Sequence, residues 1–467
     1  MITPVSRNPN KIVITYRNVS ELKTNPRNPR IHSKNQIRQL AASISAFGFN
    51  IPIVVDGEGQ LIAGHGRLLA CQHLGWTDIP TICLDHLTAT QAQAFMIADN
   101  RLAEIAVWDD QLLAEQLKEL SLLDLDFNLD VIGFDMGEID FRIEGLAGLQ
   151  DDAAKLDEAD SVPPLSTIAV TQIGDVWQLG KHRLHCGNAL DPASYSRLMD
   201  DKLARMVFSD QPYNVPIGGH VGGKGDIQHR EFAMASGEMS QVEFTQFLTT
   251  SCELMARHSE PGAIHYLCMD WRHMSEMLAA GGAVYSELKN LCVWTKDTGC
   301  MGSLYRSQHE LVFVFKHGTA PHINNVQLGK FGRNRTNVWK YPGVNSFGRT
   351  NEEGNQLAWH PTVKPVAMVA DALLDCSNRG DIVLDSFLGS GTTLMAAERV
   401  GRICCGMELE PGYVDISVRR WQTMTGQCAI HRASGQTFSE REQQAKAIGM
   451  QAGAPCQDMV AEVCHDN

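Results

Sequence analysis

No Cys-x-x-Cys pair occurs in this 467-residue chain, although it holds 13 cysteines. An odd total without that spacing argues against a disulfide framework and a usual zinc site, and fits a reducing, cytoplasmic compartment. No metal is expected. Long apolar runs are missing too. No stretch reaches the roughly 18 apolar residues that cross a bilayer. The N-terminus has no signal-like apolar core, so a soluble, unexported protein without a membrane partner is expected. No internal repeat is visible. Bases are in deficit, 40 Lys and Arg against 54 Asp and Glu. The resulting net charge of -14 at first argues against a nucleic-acid partner.

The distribution of that charge reverses the inference. Residues 101–160 carry 17 acids and 4 bases, a local -13 that supplies nearly all of the excess. Residues 1–40 carry 8 bases and 1 acid, a local +7, and residues 296–349 carry 8 bases and 2 acids, a local +6. In the second basic region Tyr305, Phe313, Phe315, Phe331, Trp339 and Tyr341 are interleaved with the bases. Such a mixture suits phosphates and extruded or kinked bases, and it makes Lys330, Arg333, Arg335 and Lys340 candidate DNA-binding residues.

At this length two or three domains are expected. The most informative stretch is 382–409. Ile382-Val383-Leu384 reads as a buried strand and Thr392 to Glu398 as a helix, with Asp385-Ser386-Phe387-Leu388-Gly389-Ser390-Gly391 as the turn between them. Glycines there let a ligand lie against the backbone and the helix start. The next strand, 403–409, brings Glu408 about 20 residues on, where a carboxylate can accept ribose hydroxyls. Upstream, the apolar strand Met206-Val207-Phe208 runs into Ser209-Asp210-Gln211-Pro212-Tyr213-Asn214. Strands at 264–268, 291–295 and 309–316 alternate with helices around 244–255 and 271–278, the pattern of a doubly wound parallel sheet.

Asp385-x-Phe387-x-Gly389-x-Gly391-Thr392 resembles the S-adenosylmethionine motif of DNA amino-methyltransferases, and Gly406-Met407-Glu408-Leu409 with Tyr413 resembles their ribose-binding strand and following helix. Asp210-Gln211-Pro212-Tyr213 is similar to the catalytic Asp-Pro-Pro-Tyr, with glutamine in place of the first proline. His360-Pro361-Thr362-Val363-Lys364-Pro365 is a third family-like block. Gly187-Asn188 stands where relatives usually have Gly-Asp, and Ser386 where many have proline. The block order, catalytic strand before cofactor strand with a basic region between, resembles the β arrangement of the family. It implies target recognition at about 296–350.

The first module opens with the turn-rich Asn25-Pro26-Arg27-Asn28-Pro29-Arg30. An amphipathic helix at 37–47 follows, then a hairpin of 53–55 and 60–63 around Asp56-Gly57-Glu58-Gly59. Gly64-His65-Gly66-Arg67 then opens a helix to Leu74. This region resembles the ParB/sulfiredoxin-like domain. The resemblance implies a phosphate held by Gly64, Gly66 and Arg67, and Ala98-Asp99-Asn100-Arg101 loosely matches a second nucleotide box. Nucleotide binding and a structural or DNA-docking role both stay open. Residues 104–145 read as acidic helices with leucines largely on one face.

The expected fold is therefore α/β: a Rossmann-like doubly wound methyltransferase sheet preceded by a small α+β ParB-like domain. Expected boundaries are 1–145 for the ParB-like domain with its acidic extension, 146–172 for a linker, 173–430 for the methyltransferase domain and 431–467 for a partly disordered tail. The resemblance implies methyl transfer from S-adenosyl-L-methionine to adenine N6 in double-stranded DNA. Adenine is favoured because the quartet begins with aspartate. It assigns catalysis to Asp210, Gln211, Pro212 and Tyr213. It assigns the cofactor to Asn188, Thr362, Lys364, Asp385, Phe387, Gly389, Gly391, Thr392 and Glu408. Two alternatives remain open, cytosine N4 as target and a DNA-binding regulator whose methyltransferase half has decayed, and assembly as a homodimer is a partner left open beside them.

Overall fold

The computed structural model describes residues 12–123, 125–148, 157–166, 168–215, 237–296, 299, 304–326, 329, 333–342 and 363–452. Two compact units divide at Gln150–Asp151.

In the first unit, β1 (Ile14–Asn18), α1 (Lys34–Phe47), β2 (Ile53–Val55), β3 (Leu61–Ala63), α2 (His65–Leu74) and β4 (Asp78–Cys83) build a four-stranded sheet in the order β1-β4-β2-β3. The β2–β3 hairpin forms as expected, because the Asp56 carboxylate accepts from the Glu58 and Gln60 amides and closes the turn. Ile53, Val55, Leu61 and Leu68 are fully buried between the sheet and the α1–α2 helix pair. The strands β1 and β4 were not legible in sequence. β1 is an edge strand whose Ile14 and Tyr16 stay exposed, so it carries no clean alternation. Then come α3 (Ala89–Ile105), α4 (Asp110–Leu122) and α5 (Met136–Gly148). Leu113, Leu117 and Ile139 form the small core joining α4 to α5.

The second unit is organised by β5 (Val176–Leu179), β6 (His182–Cys186), α6 (Pro192–Met199), β7 (Ala204–Asp210), α7 (Gln241–Arg257), β8 (Ser259–Met269), α8 (Met274–Val284), β9 (Glu287–Thr295), β10 (His309–Lys316), β11 (Val338–Lys340), α9 (Val366–Cys376), β12 (Ile382–Asp385), α10 (Thr392–Val400), β13 (Ile403–Glu408), α11 (Pro411–Thr425), β14 (Ile430–His431) and α12 (Phe438–Ala452). They form a ten-stranded sheet in the order β11-β9-β10-β8-β7-β12-β13-β6-β5-β14. The five central strands, β8 through β6 in that order, are parallel, and antiparallel pairs flank them on both sides. Parallel strands covered by helices on both faces should be largely apolar, and residues 382–384 of β12 and 403–407 of β13 are. Val383 and Cys404 face one buried layer with α9, α10 and α11, while Leu384 and Cys405 face the other with α6 and α7. The cysteine pair at 404–405 is core packing.

From β7 the chain crosses through α7 to β8, and from the neighbouring β12 it crosses through α10 to β13 on the opposite side. Ligands in doubly wound sheets bind outside the strand ends at such a divergence.

At both expected borders the described residues carry defined structure. Part of the expected 146–172 linker is bound to the sheet domain. The Asp160 carboxylate accepts from the Val366 amide at the start of α9, Asp157 pairs with Arg399, and Asp415 accepts from the Val170 and Thr171 amides. Its polarity is that of caps and ion pairs. In the expected tail, 438–452 forms α12. Thr437 and Glu440 make reciprocal hydrogen bonds at its start, and Phe438 is buried with its ring 5.2 Å from that of Trp177. Its weak periodicity reflects burial of one anchor.

Candidate active site

Asp210 ends β7, and its two carboxylate oxygens have different partners. Oδ2 accepts from Lys364 Nζ at 2.6 Å, while the Tyr213 hydroxyl lies 2.8 Å from Oδ1. The same hydroxyl is 3.1 Å from Glu310 Oε2, and Lys364 Nζ is 3.1 Å from that oxygen. Lys296 Nζ closes the group at 2.5 Å from Glu310 Oε1. Two acids and two bases thus alternate around one tyrosine.

Burial alone would raise the Glu310 carboxyl, but the Lys364 and Lys296 ammonium groups reverse this and bring it down to about 2. Burial would lower Lys364, and the charges of Asp210 and Glu310 more than offset it, so its pKa is raised. Tyr213 is pushed well up, by burial first and then by the same two carboxylates. Its phenol stays protonated and can donate. The indole of Trp294 lies under both ammonium groups, 4.6 Å from Lys296 Nζ and 5.9 Å from Lys364 Nζ.

Beside this group, at the end of β12, the turn 385–391 is tied down from several sides. Asp385 accepts from the Phe387 amide at 3.1 Å and from Thr393 Oγ1 at 2.6 Å. Burial raises its carboxyl, and with Asp210 and Glu408 nearby it is pushed up to about 7 despite those hydrogen bonds. Glu408, at the end of β13, accepts from the Gly389 amide at 2.9 Å and from the Glu410 amide at 2.8 Å. Burial raises its carboxyl as well. Ser417 donates to the Gly389 carbonyl and Arg420 to the Ser390 carbonyl. Gly391 has φ 92°, in the left-handed region, and a β-carbon there would meet Ser417 Cβ at 3.0 Å, so glycine is required. The ring of Phe387 lies 6.0 Å from that of Phe247, and Thr392, just after the turn, is buried at the first position of α10. Asn188 follows β6 and is exposed, its side chain accepting from the Leu190 amide. The preceding Gly187 amide donates to the Glu408 carbonyl.

The structure therefore gathers Asp210, Gln211, Pro212, Tyr213, Asn188, Asp385, Phe387, Gly389, Gly391, Thr392 and Glu408 at or just beyond the C-terminal ends of β6, β7, β12 and β13. Lys364, expected at the cofactor, instead sits in the acid cluster. Its ammonium belongs between two carboxylates, because a buried charge needs partners. Thr362 and Lys330 lie outside the described residues.

Two expected DNA contacts are corrected. Arg333 is buried and pairs with Asp371 and Asp375 on α9 at 3.1 and 3.0 Å. Arg335 pairs with the same two acids at 2.8 and 2.9 Å, and Tyr341 also hydrogen-bonds Asp371. Their charge is spent inside the fold. Lys340 is exposed on β11.

In the first unit, Gly64 begins α2 at φ 94° without a side-chain cap, and a β-carbon on Gly66 would meet Leu40 at 2.9 Å. Helix packing explains Gly66. Arg67 donates to the Pro52 carbonyl at 3.4 Å, and its Nε is buried without a hydrogen-bond partner.

Comparison with known proteins gives matches over both units. Residues 204–419, from the start of β7 into α11, match the family model described as DNA methylase. That stretch, a little under half of the chain, is similar to the DNA methylase family. Its first unit carries a match to the ParB N-terminal domain over 5–100, and 111–173 match a ParB-methyltransferase HTH domain, which takes in α4 and α5. Among relatives of the chain, the ParB-like nuclease domain-containing protein YnaK of Escherichia coli is 42% identical over 83 residues, 18% of this chain and 95% of YnaK. The type II methyltransferase M2.MboI of Moraxella bovis is 29% identical over 147 residues, 30% of this chain and 51% of that protein. The chain thus spans about half the length of M2.MboI. Among solved structures, the cytosine-N4-specific PvuII DNA methyltransferase is 14% identical, with 61% of this chain and 96% of that chain covered and a TM-score of 0.39. Among the described residues, no helix is long and apolar enough to cross a membrane.

Sequence reasoning missed Glu310. It opens β10, and only because β10 runs antiparallel to β8 does its first turn lie at the same edge as Asp210. An acid heading an otherwise apolar strand was the available signal.

Proposed function

We propose that this chain transfers a methyl group from S-adenosylmethionine to an exocyclic amino nitrogen in double-stranded DNA, adenine N6 in preference to cytosine N4. The observation that carries the reading is the adjacency of Asp210 and the glycine turn, which end neighbouring parallel strands at the divergence of β7 and β12.

An exocyclic amino group is a poor nucleophile because its lone pair is delocalised into the ring. Two acceptors on its two hydrogens favour a tetrahedral nitrogen. Asp210 and the backbone carbonyl of Gln211 are those acceptors, aimed at charge that grows on the nitrogen as it attacks. Lys364 and Glu310 hold Asp210 and the Tyr213 hydroxyl in register, so the tyrosine ring is fixed as a stacking surface for an extruded base. When bound, S-adenosylmethionine supplies a methyl group on a sulfonium. The residues fit its nucleoside: Gly389, at φ 56°, leaves backbone accessible beside the Glu408 carboxylate, with Phe387 next to it. Asn188 provides a neutral hydrogen-bonding group for the adenine. Aspartate at the head of the quartet favours adenine as target.

The test is to incubate the purified chain with DNA and labelled S-adenosylmethionine and to identify the modified nucleoside by mass spectrometry. N6-methyladenine that vanishes with Asp210→Ala is expected. N4-methylcytosine would replace the choice of base alone. Transfer that appears only after Gln211→Pro would make the natural chain a DNA-binding regulator with a decayed enzyme.

For the first unit we propose an anion, such as a nucleotide phosphate, at the uncapped start of α2, where Arg67 Nε is an unpaired buried donor. Calorimetric titration with nucleoside triphosphates, with Arg67→Ala as control, decides it.

A further inference from the structure

Gln211 stands where the related motif has a proline, and its side chain points inward with 1% of its surface exposed. Its amide Nε2 donates to Ser251 Oγ at 2.5 Å. Ser251 is itself fully buried on α7 and donates to the Leu248 carbonyl at 3.1 Å. The helix behind it is anchored by buried Phe244, Leu248, Cys252 and Met255, so Ser251 is a fixed point. Gln211 Oε1, by contrast, is buried without a hydrogen-bond partner. The Cys252 thiol also lies within hydrogen-bonding reach of the Gln211 side chain, and a buried glutamine whose oxygen goes unmatched costs stability that a proline would not.

The two ends of the turn are constrained by different means. Pro212 restricts the backbone of Gln211 to extended conformations. Asn214, at φ 53°, is held in the left-handed region by its side chain, which accepts from the Gly237 and Met239 amides and donates to the Met239 carbonyl. What remains free is rotation about the N–Cα bond of Gln211, the rotation that a proline ring would lock. That rotation swings the Gln211 carbonyl.

We propose that Ser251 is a positioning residue: by clamping the Gln211 side chain to α7 it fixes the carbonyl that accepts from the target amino group, doing by hydrogen bond what a proline ring does covalently. The kinetic part of this rests on the methyl-transfer reading. The conformational part does not.

A two-by-two set of full-length chains tests it: natural, Ser251→Ala, Gln211→Pro and the double variant. Ser251→Ala should lower kcat by about tenfold, the loss of one hydrogen bond that positions a reacting group, and leave KM for S-adenosylmethionine unchanged. In the Gln211→Pro background the same substitution should change kcat by less than about twofold, since the ring no longer needs the clamp. Equal losses in both backgrounds, or no loss in the natural one, overturn the proposal. Amide hydrogen exchange at Tyr213 and Asn214 gives a readout without catalysis. It should quicken about tenfold with Ser251→Ala in the natural background and stay unchanged beside Gln211→Pro. If the chain transfers no methyl group to any DNA, the exchange pattern alone decides between clamp and no clamp. Should Ser251→Ala fail to fold, Gln211→Met removes the same bond from its other end at similar length, and normal exchange there overturns the proposal.

Discussion

Glu310 and Lys364 illustrate how a buried charge becomes a positioning device. Each has two opposite partners within 3.1 Å, so removing one charge strands the others. Glu310→Gln should destabilise the chain by about 3 kcal/mol in urea unfolding, as expected when one member of a buried pair is neutralised. Its effect on methyl transfer should fall on kcat, because Tyr213 and Lys364 lose their shared anchor. Asp385 behaves in the opposite sense. With its carboxyl pushed up to about 7, the folded chain keeps a proton that the unfolded chain releases near pH 4. The unfolded state therefore binds fewer protons between those values, and stability falls as pH rises through that window. Asp385→Asn keeps an acceptor for Phe387 and Thr393, so it should flatten the profile between about pH 4 and 7. Thermal unfolding of the cofactor-free chain across that range checks this, and an unchanged profile would show that Asp385 is ionised in the fold. Glu310 acts at the acid end: its carboxyl is depressed to about 2, so its stabilisation is lost as pH falls from its ordinary value through that point.

Helix α9 links the site to what the sequence presented as DNA-binding surface and as linker. Its first amide is met by Asp160, and its acids Asp371 and Asp375 take up Arg333 and Arg335. Asp160→Ala should cost about 1 kcal/mol, the worth of a helix-start hydrogen bond, measured by urea unfolding. Neutralising Arg333 and Arg335 should lower stability and leave the salt dependence of DNA binding unchanged. Lys340→Ala should flatten that dependence by about one unit of log-log slope if β11 lies along the DNA backbone. A slope that responds to the arginines and not to Lys340 would reverse the assignment. The basic run was legible in sequence. The acids that neutralise it lie 36 to 42 residues further along and meet it only in the folded chain, which is why a local charge count misjudged it.

Across the whole molecule, the strands and helices nearest the site were the most legible parts. A strand buried on both faces is a short apolar run bounded by turn residues, and the parallel strands at 206–208, 264–268 and 382–384 and the antiparallel one at 309–316 carry that mark. The edges β1, β11 and β14 were not, because an edge strand takes its identity from its neighbour in the sheet. By itself the sequence determined the alternation of strands and helices, the glycine turn with Glu408 after it, and the Asp210 strand end, since each is written in a few consecutive residues. Only the tertiary structure decided that Lys364 serves Asp210 instead of the turn, that Glu310 joins them, and that Ser251 holds Gln211. Those partners lie 40 to 154 residues apart in the chain, and strand order and direction, which no local pattern encodes, bring them within hydrogen-bonding distance.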